Sequence, residues 1–348
     1  MTAEQQGQTE KWMDAEAKSK RSTKGGPPYI ISASRRTDIP AFYAKWFINR
    51  IRAGFCTVPN PLNKAQVSRV SLRPEDVLVF VFWTRYPKPL MEYLDELDDR
   101  GYKYYFQFTL MDNPPELDPK MPPLERRLET FKRLADKIGR EKVIWRYDPI
   151  VISEKTSPEF HLATYSKIIK ELKDYTRRSV ISIVDLHYRK IQDRIQLLQK
   201  NGTPIVKWQD EFGTFVKQIA GIAQENGLEI QSCAEDIDLK KYGVLPGKCI
   251  DDELIKRVFG IEVPHQKDPA QREACHCVIS RDIGMYDSCL FGCVYCYATS
   301  CFKKARENHL KHNPDSPSLL GWYEPQSSVK RQQKSSVKQQ FEFEFEGG

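Results

Sequence analysis

Val77-Leu-Val-Phe-Val-Phe-Trp83 is an unbroken apolar run rich in β-branched and aromatic residues. A strand with one wet face would alternate, so this one reads as covered on both faces, the condition of a parallel sheet flanked by other elements. Runs of the same kind recur at Tyr29–Ala33, Tyr102–Leu110, Val143–Tyr147, Val180–Val184 and Leu228–Gln231. Helical segments separate most of them. Leu124, Leu128, Phe131, Leu134 and Ile138 keep the three-and-four spacing of one helix face and stop at Gly139. Ile191, Ile195 and Leu198 do the same before Gly202, and Phe42, Trp46 and Ile51 fall on a helix that Gly54 ends. Strand–helix alternation of this kind means parallel strands joined by crossover helices. An α/β fold is therefore expected, as a partial or full TIM-like βα barrel. A flat doubly wound sheet is the alternative, disfavoured because no Gly-x-Gly-x-x-Gly follows the first strand.

The chain has 348 residues, 40% of them hydrophobic and 11% aromatic, and a formal charge of +7. That is enough to bury a substantial core. No apolar run is long enough to span a bilayer, so no membrane partner is expected. Part of the positive excess lies on Lys303, Lys304, Arg306 and Lys311, which reads as a solvated helix face and selects no partner. Residues 1–27 are polar, lack the apolar core of a signal peptide and read as a disordered leader. Residues 321–348, closing on Phe-Glu-Phe-Glu-Phe-Glu-Gly-Gly, read as a disordered tail. Between them lie a barrel body at 28–235 and a cysteine-rich region at 236–320 that would complete the barrel. Nine cysteines is an odd count in a long chain, which points to a reducing, cytoplasmic setting.

Polar residues gather at the carboxyl ends of the expected strands, where βα barrels build their sites. The first strand runs into Ser34-Arg35-Arg36-Thr37-Asp38, the second into Thr84-Arg85 and the fourth into Arg146-Tyr147-Asp148-Pro149. The fifth ends at Asp185 and His187, the sixth at Cys233-Ala234-Glu235. Asp38 and Asp148 suit helix capping as well as chemistry. Arg35, Arg36 and Arg146 do not, since a helix start repels guanidinium groups. They suit paired hydrogen bonds to a carboxylate. Arg35, Arg36, Arg146 and Asp148 are the candidate catalytic residues.

The stretch Asp287-Ser-Cys-Leu-Phe-Gly-Cys-Val-Tyr-Cys-Tyr-Ala298 carries the most specific pattern. Cys289, Cys293 and Cys296 have C-x₃-C-x₂-C spacing, which wraps three corners of a [4Fe–4S] cubane and leaves one iron without a protein ligand. Gly292 supplies flexibility and Tyr295 shielding. A zinc site would need a fourth ligand, Cys301 or His309. Cys233, Cys249, Cys275 and Cys277 form a second group. They match an auxiliary cluster or a tetrahedral zinc site, or are unrelated buried thiols. The one-residue spacer in Cys275-x-Cys277 leans toward iron–sulfur. His265 and His276 are spare ligands, while Cys56 and Cys301 read as structural.

The cysteine spacing, with Tyr295 before the third thiol, resembles the radical S-adenosylmethionine (SAM) signature. Ser32-Ala-Ser-Arg-Arg-Thr-Asp-Ile-Pro40, Phe82-Trp-Thr-Arg85, Trp145-Arg-Tyr-Asp-Pro149, Ser232-Cys-Ala-Glu235, Cys275-His-Cys277 and the 282–298 cysteine stretch together resemble the DUF1848 family. That resemblance implies a radical-SAM-like fold whose cluster loop sits near the C-terminus, hence a circular permutation. A short strand near Val278–Ile283, the loop and a helix from about Ala298 to Lys311 would then pack beside Tyr29–Ala33. It also implies one [4Fe–4S] cluster or two, SAM, an unidentified substrate and an electron donor such as flavodoxin or ferredoxin. The alternative is a non-catalytic binding protein stabilised by zinc or clusters.

Overall fold

The computed structural model describes residues 28–325 except 187, 188, 208, 210 and 211. The expected leader 1–27, the Phe-Glu repeat of the tail and His187 lie outside the described residues.

Among the described residues the strands are β1 (Tyr29–Ser32), β2 (Phe55–Pro59), β3 (Val67–Ser71), β4 (Val77–Thr84), β5 (Tyr104–Thr109), β6 (Val143–Ile150), β7 (Arg178–Ile183), β8 (Glu229–Cys233), β9 (Leu245–Gly247) and β10 (Arg281–Asp282). The helices are α1 (Ile39–Phe42), α2 (Ala44–Ala53), α3 (Lys88–Met91), α4 (Leu94–Asp99), α5 (Leu124–Ile138), α6 (Pro158–Leu172), α7 (Arg189–Lys200), α8 (Gly213–Glu225), α9 (Asp252–Phe259) and α10 (Phe302–Leu310). All six apolar runs are strands.

Eight strands form one sheet in the order β10-β1-β4-β5-β6-β7-β8-β9, every neighbouring pair parallel. From β1 to β9 the order never reverses. Right-handed crossovers then lay their helices on one face of the sheet. The core shows it: Phe80, Phe82, Phe106, Phe108 and Trp145 pack with Trp46, Phe47, Phe131, Ile168 and Phe215 from the helices. Phe82 lies opposite Phe106 in register, and their rings stack at 4.9 Å. Truncating such a fully buried ring to alanine costs about 3–5 kcal/mol.

The opposite face is covered by the chain itself. Ile30, Val79, Val81, Tyr105, Ile144 and Val180 pack against Cys249–Ile255 and Cys275–Val278. This is why β4 has no alternation: both of its faces are dry. The sheet does not close. β9 and β10 are its two edges, and among the described residues no pairing joins them, so the full barrel gives way to an open parallel sheet. The 249–278 segment packs over the face that a closed barrel would turn inward and fills that space.

The sequence analysis marked neither the antiparallel β2–β3 hairpin, in a sheet of its own, nor the edge strand β9, and it did not place α3, α4, α6, α8 or α9. Helix ends behave as expected where glycine stops them. Gly54 adopts φ 75° after α2, the left-handed conformation that a side chain resists.

Candidate functional site

β10, the cysteine loop and α10 form one strand–loop–helix unit at the sheet edge. β10 pairs parallel with β1 (Ile31 with Arg281, Ser32 with Asp282), so the chain leaves it toward the carboxyl ends of the strands. Asp287 closes the loop's neck. Its backbone N–H donates to Ala298 O (3.0 Å), and its carboxylate accepts from the Ser300 backbone and hydroxyl. Gly292 turns the loop at φ 77°. Val294 N–H donates to Leu117 O at 3.0 Å, tying the loop to the segment after β5. Phe291 sits on Phe42, ring centroids 4.6 Å apart. Cys293 is buried, whereas Cys289 and Cys296 keep some exposure. Burial pushes the Cys289 and Cys293 thiols above the usual range, and the neighbouring thiols add to it.

Arg85, just past β4, holds this loop. Its Nη1 donates to Cys293 Sγ at 2.7 Å, and its two Nη atoms grip both oxygens of Asp118 at 2.6 and 2.9 Å. The Tyr295 hydroxyl donates to the same carboxylate at 2.7 Å. Burial works against charge on both Arg85 and Asp118. Their mutual attraction outweighs it, raising the arginine's pKa and lowering the carboxyl's. Arg85 Nε is nevertheless buried without a hydrogen-bond partner.

The second thiol group is assembled from three segments. β8 and β9 pair with Cys233 opposite Gly247, so Cys249, two residues on, comes beside Cys233. A Cβ at Gly247 would lie 2.7 Å from the Gln231 side chain and 2.8 Å from Ser232 O, so the two strands approach this closely only with glycine there. Cys233 Sγ and Cys249 Sγ are 3.1 Å apart. Cys277 Sγ accepts from the Cys249 and Ile250 backbone N–H groups at 3.3 and 3.4 Å. Cys275, buried in the same apolar layer, stands two residues before Cys277.

Arg146 belongs to this second group: Nη1 donates to Cys249 Sγ (2.8 Å) and Gln107 Oε1 (3.3 Å), while Nη2 pairs with Asp148 at 2.6 Å. Arg35 faces the same thiols. It pairs with Asp268 at 3.3 Å, lies over Trp83 and is held charged by Cys277 and then Asp282 against the effect of burial. Arg36 stands apart, its Nε on Asp282 at 2.7 Å. Each of the three arginines thus already has a carboxylate within the chain. Asp148 also accepts from the Ser182 hydroxyl. Asp38 caps α1 and accepts the Arg85 backbone N–H at 2.7 Å.

Residues 30–298 match the family DUF1848, described as a domain of unknown function. The chain belongs to the DUF1848 family. The match takes in both thiol groups and the arginines beside them. Comparison with curated proteins finds no match. Among solved structures, a putative dehydrogenase from Burkholderia cenocepacia with bound NADP is 7% identical, covering 64% of this chain and 76% of that one with a TM-score of 0.21. So slight a likeness informs neither fold nor chemistry.

In this DUF1848 chain, sequence reasoning missed Asp118 altogether and gave Arg85 no role. Arg85 stands at a strand's carboxyl end, which was a signal; Asp118 lies in irregular chain and meets Arg85 across 33 residues. Glu235, after β8, accepts the Ile183 N–H at 2.8 Å. Burial, reinforced by Asp148 and opposed by that hydrogen bond, lifts its pKa to about 8. A cavity of about 200 Å³ opens beside it, lined also by Asp238, Lys240 and His276. As the side chains stand, no group of three or more His, Cys, Asp or Glu among the described residues is spaced to hold a metal ion. No helix among the described residues is long and apolar enough to cross a membrane.

Proposed function

We propose that this chain is a cytoplasmic radical-SAM-like enzyme with a [4Fe–4S] cluster on Cys289, Cys293 and Cys296. One observation carries the reading: three cysteines lie on a single loop that leaves β10 and meets the carboxyl ends of β1 and β4. The position of β10 outside β1 supports a permuted βα order, with β10–loop–α10 standing first in space and last in sequence.

The donor chemistry suits such a group, although as the side chains stand the thiols are not spaced for a metal ion. Three thiols share one loop, while the two candidate fourth ligands are engaged elsewhere or turned out: Cys301 is exposed and His309 meets the Tyr43 hydroxyl. The orphaned Arg85 Nε beside Cys293 is a buried donor lacking an acceptor. When bound, the cluster would supply the electron that splits SAM into methionine and a 5′-deoxyadenosyl radical. The chain's own part is positional. Arg85 and Asp118 clamp Cys293, a guanidinium beside a metal thiolate being a tuning device. Phe291 on Phe42 keeps water from one side of the loop. Asp287 and Ser300 hold the loop's neck shut.

The test is anaerobic reconstitution with iron and sulfide, reduction by dithionite in place of flavodoxin or ferredoxin, and assay for 5′-deoxyadenosine. Formation of 5′-deoxyadenosine by the intact chain, abolished by Cys289→Ala, Cys293→Ala or Cys296→Ala, is the expected result. A reduced cluster that leaves SAM intact refutes the reading.

A further inference from the structure

We propose that Cys233, Cys249, Cys275 and Cys277 are the ligands of one tetrahedral zinc ion, separate from the cysteine loop. The proposal does not rest on the radical SAM reading and survives its failure.

Three distant segments converge to make this group: the end of β8, the turn before α9 and the strap at 275–277. Convergence is built in by the β8–β9 register and by a glycine at the crowded position Gly247. Cys233 Sγ and Cys249 Sγ are 3.1 Å apart, and Cys277 Sγ accepts from the Cys249 and Ile250 backbone N–H groups. Zn–S bonds of about 2.3 Å place tetrahedral thiolates about 4 Å from one another. As the side chains stand the four are not yet spaced around an ion, but a cubane would spread the sulfurs much further, so the 3.1 Å between Cys233 and Cys249 favours a single ion over the auxiliary cluster that the Cys275-x-Cys277 spacer had suggested. Zinc binding exchanges the S–H bonds of the four thiols for four Zn–S bonds and releases four protons, with no change of oxidation state.

The surroundings favour the charged product. Four zinc-bound thiolates carry a net double negative charge in an apolar interior, which needs donors and countercharge. Backbone N–H groups of Cys249 and Ile250 already point at Cys277 Sγ. Arg146, 3% exposed, donates to Cys249 Sγ at 2.8 Å. Arg35 brings a second guanidinium, and its Nη2 is buried with no partner. A neutral thiol is a weak acceptor for such a donor; a zinc thiolate is a strong one.

The experiment measures metal in the full chain purified without added iron, together with residue-resolved alkylation. About one zinc per chain is expected, and it should persist in the Cys289→Ala/Cys293→Ala/Cys296→Ala variant. It should vanish when Cys249→Ser and Cys277→Ser are added. In the intact chain, Cys233, Cys249, Cys275 and Cys277 should resist alkylation together and react together once a chelator removes the metal. Cobalt(II) exchanged into the intact chain should give the intense red-region absorption of a tetrahedral thiolate site, a readout that needs no variant to fold. Iron and brown colour remaining in the triple variant, zinc absent from the intact chain, or one of the four thiols reacting independently of the rest would overturn the proposal.

Discussion

The two thiol groups of this molecule are built in opposite ways. Cys289, Cys293 and Cys296 come from one short loop at a sheet edge, and two of the three keep some exposure. Cys233, Cys249, Cys275 and Cys277 come from three segments and pack into the apolar layer over the sheet's inner face. Yet each group meets a guanidinium that donates to a sulfur, Arg85 to Cys293 at 2.7 Å and Arg146 to Cys249 at 2.8 Å. Each also has a neighbouring guanidinium nitrogen left without an acceptor, Arg85 Nε in one and Arg35 Nη2 in the other. Local spacing can make an open thiol set; a closed one needs the whole fold.

The largest expected effect separates the two arginines. Asp118 has a side chain only 2% exposed and depends on Arg85, whereas Asp148 is 18% exposed and keeps the Ser182 hydroxyl. Arg85→Met should therefore cost about 3–5 kcal/mol, the penalty of a buried carboxylate without its partner. Arg146→Met should cost clearly less, about 2 kcal/mol. Urea unfolding of both variants at neutral pH measures the difference. Equal costs would mean that the inner group depends on its ion pair as much as the loop does.

That contrast also explains what was legible. The strands announced themselves because burial on both faces leaves no polar residue to interrupt Val77–Trp83. β9 could not: Leu245-Pro246-Gly247 is short and carries a proline, and only its place beside β8 makes it a strand. In the β2–β3 hairpin β2 ends on Pro59 and β3 exposes Ser68 and Arg69, so it lacked the apolar run that marked the others. The cysteine loop was legible because its three thiols are neighbours in sequence. The Arg85–Asp118 pair was not, since no local pattern links a strand end to irregular chain. Tyr295, expected to shield, instead directs its hydroxyl to Asp118.

The two regions also differ in pH response. Glu235, near Asp148 and Cys233, has its pKa raised from 4.5 to about 8, by burial first. Between those values the folded state holds a proton that the unfolded state has lost, so this group's contribution to stability falls as pH rises from 5 to 8. Asp118 has a lowered pKa because Arg85 outweighs burial. Its contribution is lost only as pH falls below the ordinary carboxyl range. Glu235→Gln keeps an oxygen for the Ile183 N–H and removes the charge. Melting curves from pH 5 to 8 should be flatter in the variant by about 1–3 kcal/mol. An unchanged slope would show that Glu235 ionises normally.

Within the loop, the Tyr295 hydroxyl is a secondary support. Asp118 would still have Arg85 and the Asn113 amide at 2.9 Å. Tyr295→Phe should cost about 1 kcal/mol, well below Arg85→Met, by the same urea measurement. A cost as large as that of Arg85→Met would make tyrosine and arginine equal parts of the clamp.

The smallest effect tests whether the two groups are independent. Tyr297 follows Cys296 directly and donates its hydroxyl to Arg35 O at 2.9 Å, and Arg35 in turn faces the inner thiols. This hydrogen bond links one group to the other. Tyr297 is 46% exposed, so water can replace the lost donor in Tyr297→Phe. The variant should lose about 0.5 kcal/mol or less. If the inner group is set by the β8–β9 register and the strap at 275–277, the variant should also keep the metal content of the parent and the same slow alkylation of Cys275 and Cys277. Faster alkylation there, from a change beside Cys296, would show that the loop helps to hold the inner thiols and that the two groups act as one unit.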